Sequence, residues 1–116
     1  DNHIALAGSI QKAVERARAY AGHMTKIEVE VDTLEQLQDV LHVGGVDAVL
    51  LDNMPPPILR QCVAMVQGKW LTEASGGITP QTAPEIAKTG VDLLALGWLT
   101  HSVKALDCGL DFEKSL

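Results

Sequence analysis

The chain has 116 residues, with nine Lys and Arg against fifteen Asp and Glu, for a formal charge of −6. Hydrophobic residues make up 47% and aromatic residues 3%, so the core must be aliphatic and the composition is that of one globular domain, not a disordered segment. The acidic balance lacks the basic stripe that a nucleic-acid or anionic-membrane partner requires, and no apolar run approaches the ~20 residues of a membrane helix. The sequence opens on Asp1-Asn2-His3 with neither an initiator Met nor a leader, which raises the expectation that it is part of a longer chain. Cys62 and Cys108 stand apart without partners at metal-ligand spacing, as expected of reduced thiols in a cytoplasmic protein, with Cys62 in the core.

In chain order, Ser9 precedes a helical stripe of Ile10, Ala13, Val14 and Ala17 that runs to Tyr20. Residues 26–31 (Lys-Ile-Glu-Val-Glu-Val) alternate with the period of a strand. Thr33 caps a helix carrying Leu34, Leu37, Val40 and Leu41, and Gly44-Gly45 ends it. Residues 47–52 (Asp-Ala-Val-Leu-Leu-Asp) form an apolar strand, and Pro55, Pro56 and Pro57 lead into a helix through Val66 that Gly68 breaks. Trp70 to Ser75 predicts a third strand, Thr79-Pro80 the start of another helix closed by Gly90, and Asp92 to Leu96 a fourth strand. The tail from Trp98 has weaker periodicity, with room for one helical turn. Met24, Met54 and Met65 read as packing, and His23 and His42 as solvated helix-end residues. The alternation of helix and strand predicts an α/β fold with parallel strands. An internal echo between Gly45-Val46-Asp47 and Gly90-Val91-Asp92, each feeding a strand, points to repeated βα units.

Ligands in parallel α/β sheets and barrels bind at the carboxyl ends of the strands. Those ends carry Glu30, Asp52, Ser75-Gly76-Gly77 and Gly97. Alternation puts Glu28 and Glu30 on one face, Leu50 and Asp52 on one face, and Leu71, Glu73 and Ser75 on one face, which together collect four carboxylates at one mouth. Carboxylates so placed repel and raise one another's pKa unless a cation is shared. A hard divalent ion such as Mg²⁺, or a lysine from outside this chain, resolves that conflict. Tandem glycines let the backbone approach a ligand and turn N–H groups toward an anion, with a helix start at Thr79-Pro80 adding its positive end. His3 and His101 lie in loops at the same mouth, and Trp98 is a large aromatic directly after a glycine strand end.

Asp1-Asn2-His3-Ile4, Ile27-Glu28-Val29-Glu30-Val31, Leu50-Leu51-Asp52-Asn53-Met54, Glu73-Ala74-Ser75-Gly76-Gly77-Ile78 and Leu99-Thr100-His101-Ser102 resemble, in order and over the whole chain, the quinolinate phosphoribosyltransferases. The resemblance implies the C-terminal βα units of an open TIM-like α/β barrel, with residues 1–116 as one partial domain and the family's N-terminal domain and first barrel strands absent. It implies attack of the quinolinate nitrogen on C1 of phosphoribosyl pyrophosphate, then loss of CO₂ to give nicotinate mononucleotide for NAD synthesis. It matches Glu30 and Asp52 to carboxylates that hold ribose hydroxyls and Mg²⁺, and Ser75, Gly76, Gly77 and Gly97 to phosphate-binding loops. Glu28, Glu73 and His101 are further candidates at that mouth. The implied partners are phosphoribosyl pyrophosphate, quinolinate and a second copy in a homodimer or higher oligomer, in the cytoplasm.

The chain departs from the family pattern at Trp98, where a small residue is usual, and it lacks the upstream basic residues that grip quinolinate. The isolated chain is therefore expected to be inactive. Two other readings remain open on the residues alone: another phosphate-binding βα-barrel enzyme of the isomerase or synthase kind, and a non-catalytic structural fragment.

Overall fold

The computed structural model describes residues 2–112, and these build a four-stranded parallel sheet with helices packed against it. The strands are β1 (Glu28–Val31), β2 (Ala48–Asp52), β3 (Leu71–Ser75) and β4 (Leu93–Leu94), lying side by side in sequence order. Each parallel neighbour is reached through a helical crossover, the pattern of barrel-type βα units, and the barrel is not closed in this chain. The fold class read from the sequence is therefore observed.

The helices follow from their caps and stripes. In α2 (Ile10–Tyr20) the Ser9 side chain accepts the Lys12 N–H at 3.2 Å, and Ile10 and Val14 turn inward. Ahead of α3 (Leu34–Val43), Thr33 and Gln36 form a reciprocal capping box that satisfies two backbone donors. Gly44 ends α3 at φ 66, a conformation that costs glycine little. Prolines open α4 (Pro56–Val66), where a first-turn N–H has no helical acceptor to lose. Val29, Val31, Val49, Leu51 and Ala74 line the helix-covered face with Leu37, Val40, Leu59, Cys62 and Val66 packed over them, all buried. Burying each large aliphatic side chain contributes about 1.5–3 kcal/mol, which makes this layer the main source of stability. Cys62 is in the core as expected, in contact with Met54, but Met24 is 83% exposed and packs nothing.

Four expectations are corrected. Asn2–Ala7 forms a helix, α1, so His3 sits on a helix and not in a loop. Thr79-Pro80 opens a turn and not the regular helix: the Thr79 N–H donates to the Thr82 hydroxyl at 2.9 Å and the Thr82 N–H to the Thr79 hydroxyl at 3.3 Å, but Pro84 has no N–H to bond Pro80, so α5 runs only over Ala83–Ala87. β4 is two residues long instead of spanning 92–96, because it is an edge strand and the Asp92 side chain turns back to Thr72. Trp98–His101 forms a short helix, α6, the one helical turn expected of the tail, and this places His101 on a helix and not in a loop.

The glycine-valine-aspartate echo has a structural meaning. Asp47 accepts the Ile27 N–H at 2.9 Å, and Asp92 accepts the Thr72 N–H at 2.8 Å, each from a strand twenty residues earlier. Each aspartate also donates its own N–H back to the carbonyl of the same partner, at 2.8 and 2.9 Å. The pair of bonds closes the amino end of the β1–β2 ladder and of the β3–β4 ladder.

Candidate active site at the carboxyl ends of the strands

The ladder register aligns the open face of the sheet. Glu28 lies beside Ala48, Glu30 beside Leu50 and then Glu73, and Asp52 beside Ser75. All four carboxylates face away from the helix layer, as alternation requires, but they do not form one cluster. Glu28 reaches Glu73, and loss of solvent around its carboxyl, reinforced by the charge and hydrogen bond of Glu73, raises its pKa above the ordinary value. Nearer the strand ends, Glu30, Asp32 and Asp52 each offer a carboxylate oxygen within 4.8 Å of the others. Glu30 and Asp52 are half-buried, while Asp32 is exposed.

Asp32 is a residue that the strand reading missed. It continues the two-residue spacing of Glu28 and Glu30, so extending the alternation one step beyond the strand would have found it. The turn into α3 fixes its backbone, since the Asp32 N–H donates to the Gln36 side chain at 2.6 Å as part of the cap.

The glycine turns lie together. Ser75, Gly76, Gly77, Ile78, Thr79, Ala95, Gly97, Trp98 and His101 line a cleft of about 460 Å³. Gly76 and Gly77 have φ of 94 and 59, so both take the left-handed region that side chains disfavour. Gly97 has an ordinary φ of −59, and its small size serves another purpose: a Cβ there would lie 3.2 Å from the His101 ring. His101 is held on one side by Ser102 Oγ, 2.8 Å from its Nδ1. Trp98 is half-buried at the cleft wall. The positive helix end anticipated at Thr79 is missing, because α5 starts later and is five residues long. Anion binding in this cleft would therefore fall to the loop N–H groups and side chains.

His3 lies apart from that cleft, in a second cavity of about 610 Å³ between α1, α2 and β1 that also includes Arg16, Tyr20, Glu28 and Glu30. Asp52 and the glycine cleft meet through Asn53, whose N–H donates to Ser75 O at 3.0 Å and whose side-chain amide donates to the Asp52 carboxylate. The sequence pattern assigns Asn53 no role; its positive φ of 53 is what distinguishes it structurally.

Sheet order and open barrel-type units define the class as part of an α/β-barrel domain. More narrowly, the chain belongs to the family described as quinolinate phosphoribosyl transferase, C-terminal domain, whose model matches residues 1–111. It is 48% identical over 115 residues to the probable nicotinate-nucleotide pyrophosphorylase [carboxylating] of Bacillus subtilis, covering 99% of this chain and 39% of that protein. It is 40% identical over 113 residues to the nicotinate-nucleotide pyrophosphorylase [carboxylating] of Rattus norvegicus, covering 95% of this chain and 38% of that protein. The crystal structure of nicotinate-nucleotide pyrophosphorylase from Ehrlichia chaffeensis superposes with a TM-score of 0.88 at 39% identity, over 97% of this chain and 40% of that one. The chain thus spans about two fifths of the length of the curated relatives it matches. No helix among the described residues is long and apolar enough to cross a membrane.

Proposed function

We propose that this chain supplies the phosphoribosyl half of a site that transfers the phosphoribosyl group from phosphoribosyl pyrophosphate to quinolinate. The quinolinate ring nitrogen bonds to C1 as the bond to pyrophosphate breaks and that group leaves with the electron pair. The ring then loses CO₂, the vacated carbon takes a proton, and nicotinate mononucleotide results, a step of NAD synthesis. In this reading Glu30 and Asp52 accept hydrogen bonds from the ribose hydroxyls and place negative charge near a C1 that becomes cationic. Ser75 donates its hydroxyl, and Gly76, Gly77 and Gly97 their N–H groups, to the 5-phosphate. His101 and Trp98 wall the same cleft, and Glu28 and Glu73 line the floor of the mouth.

Three carboxylate oxygens within 4.8 Å make a hard, anionic donor set of the kind that suits Mg²⁺, with Glu30, Asp32 and Asp52 as its holders. When bound, such an ion supplies charge neutralisation for the leaving pyrophosphate. Free thiols at Cys62 and Cys108 accord with a cytoplasmic setting, and we read the full-length protein as a homodimer or higher homo-oligomer.

The observation that carries the reading is the adjacency, at neighbouring strand ends in a chain of this family, of the Glu30–Asp52 acids and the Ser75–Gly77 turn. Calorimetric titration of the intact protein with phosphoribosyl pyrophosphate and Mg²⁺ tests it. Glu30→Ala and Asp52→Ala are each expected to weaken binding by ~10-fold or more, and unchanged affinity in both overturns the assignment. The 116-residue chain alone is expected to form no nicotinate mononucleotide.

A further inference from the structure

We propose that Asn53 is the positioning residue that sets the Asp52 carboxylate against the Gly76 turn, an inference that rests on the phosphoribosyl reading of this face. Two non-glycine residues among those described have positive φ, Asn53 and Gln67, both at 53°. Gln67 closes α4, where a left-handed residue is the usual helix ending. Asn53 follows a strand, and no helix end calls for its conformation. Glycine would take that backbone without cost, so what Asn53 adds is its side chain.

That side chain touches both halves of the site. Its amide donates to the Asp52 carboxylate, which fixes the orientation of an acid on β2. A Cβ built on Gly76 would fall 2.8 Å from the Asn53 backbone nitrogen and closer still to its amide group, so Asn53 and the Gly76 turn are in direct contact. The Asn53 N–H also bonds Ser75 O at 3.0 Å, tying the ends of β2 and β3. A ligand that offers ribose hydroxyls to Asp52 and a phosphate to the Gly76–Gly77 turn has a fixed covalent distance between those groups. One residue bonded to the acid and packed on the turn sets the matching distance in the protein.

Asn53→Gly keeps the backbone conformation and removes the side chain, and Gln67→Gly makes the same change at the other left-handed position, away from the site. Three readouts on the intact protein decide the matter: thermal midpoint, affinity for ribose 5-phosphate and for inorganic phosphate, and the amide resonances of Gly76 and Gly77 without ligand. For Asn53→Gly the midpoint should hold, ribose 5-phosphate should bind ~10-fold more weakly, and inorganic phosphate, which spans one half only, should lose less. The Gly76 and Gly77 resonances should shift or broaden, and Gln67→Gly should change none of these. Equal affinity of Asn53→Gly and the unaltered protein for ribose 5-phosphate, with unmoved resonances, reduces Asn53 to a turn residue and overturns the proposal. If the unaltered protein fails to bind ribose 5-phosphate, the phosphoribosyl reading falls. The resonances then decide by themselves: shifted, Asn53 sets the turn; unmoved, it does not.

Discussion

At the amino ends of the strands, Asp47 and Asp92 each accept backbone N–H groups from a neighbouring strand, and Asp47 also meets Lys26 at 3.1 Å and Arg18 at 3.7 Å. The Ile27 N–H, then Lys26, holds the Asp47 carboxyl below its ordinary pKa, and the Thr72 N–H and hydroxyl do the same for Asp92. On the open face of the sheet, Glu28 at the start of β1 is pushed the other way by desolvation and by Glu73, while at the carboxyl ends Glu30, Asp32 and Asp52 converge within 4.8 Å. One residue class therefore serves two ends of one sheet. Where donors surround it, a carboxylate closes a ladder; where other acids surround it, the arrangement costs stability in the free protein and gains a use only when something cationic or hydroxyl-bearing arrives.

The largest effect that separates the two ends should come from glycine. Gly76→Ala places a methyl against Asn53 at a φ of 94, and is expected to cost roughly 2–4 kcal/mol in denaturant unfolding together with loss of phosphate binding. Gly68→Ala, at the amino end of β3, meets nothing within 4 Å at a φ of 69 and should cost only about 1 kcal/mol. Equal costs at the two sites would break the comparison. Aspartate gives the next contrast. Asp92→Ala should lose roughly 1 kcal/mol of stability, its exposure keeping the value low, and leave ligand affinity unchanged. Asp52→Ala should leave the melting temperature level or raised, because it removes a like charge, while binding of phosphoribosyl pyrophosphate weakens by ~10-fold or more. Paired melting and titration curves on both variants check the inversion.

How far the sequence foretold this varies along the chain, for physical reasons. Strand alternation in residues 26–31 and the caps at Ser9 and Thr33 are local signals, and the elements they mark are present within two residues of expectation. Thr79-Pro80 satisfies the same capping rule, and Thr79 and Thr82 do cap each other, yet a turn precedes α5 because Pro84 has no N–H with which to continue the ladder. The shared face of Glu28, Glu30, Asp52 and Glu73 followed from period two, but its division into two groups depends on ladder register, which pairs Glu30 with Leu50 and Asp52 with Ser75. Asn53 escaped notice because its contact with Gly76 spans two strands, and nothing in the spacing of Asp52 and Gly76 reports a left-handed backbone between β2 and α4.

The smallest effect sharpens the comparison most, because a ladder-closing aspartate and an open-face glutamate should respond to pH with opposite sign. Asp92 has a folded pKa below its ordinary 3.8, so its stabilisation is complete above that value and is lost as pH falls through the lower folded pKa. Glu28 has a folded pKa above its ordinary 4.5, so the folded state favours its protonated form. That contribution is present below 4.5 and is lost as pH rises through the folded value. Melting temperatures followed from about pH 3 to about pH 8 should show Asp92→Asn flattening the acid limb, with the curves parallel at neutral pH. Glu28→Gln should match the unaltered protein at the acid end and exceed it slightly above pH 4.5, because glutamine carries no charge to be desolvated or for Glu73 to repel. A Glu28→Gln protein less stable than the unaltered one at neutral pH would mean that some cation, and not Glu73, sets the field around that carboxylate, and Glu28 would then resemble the paired aspartates Asp47 and Asp92.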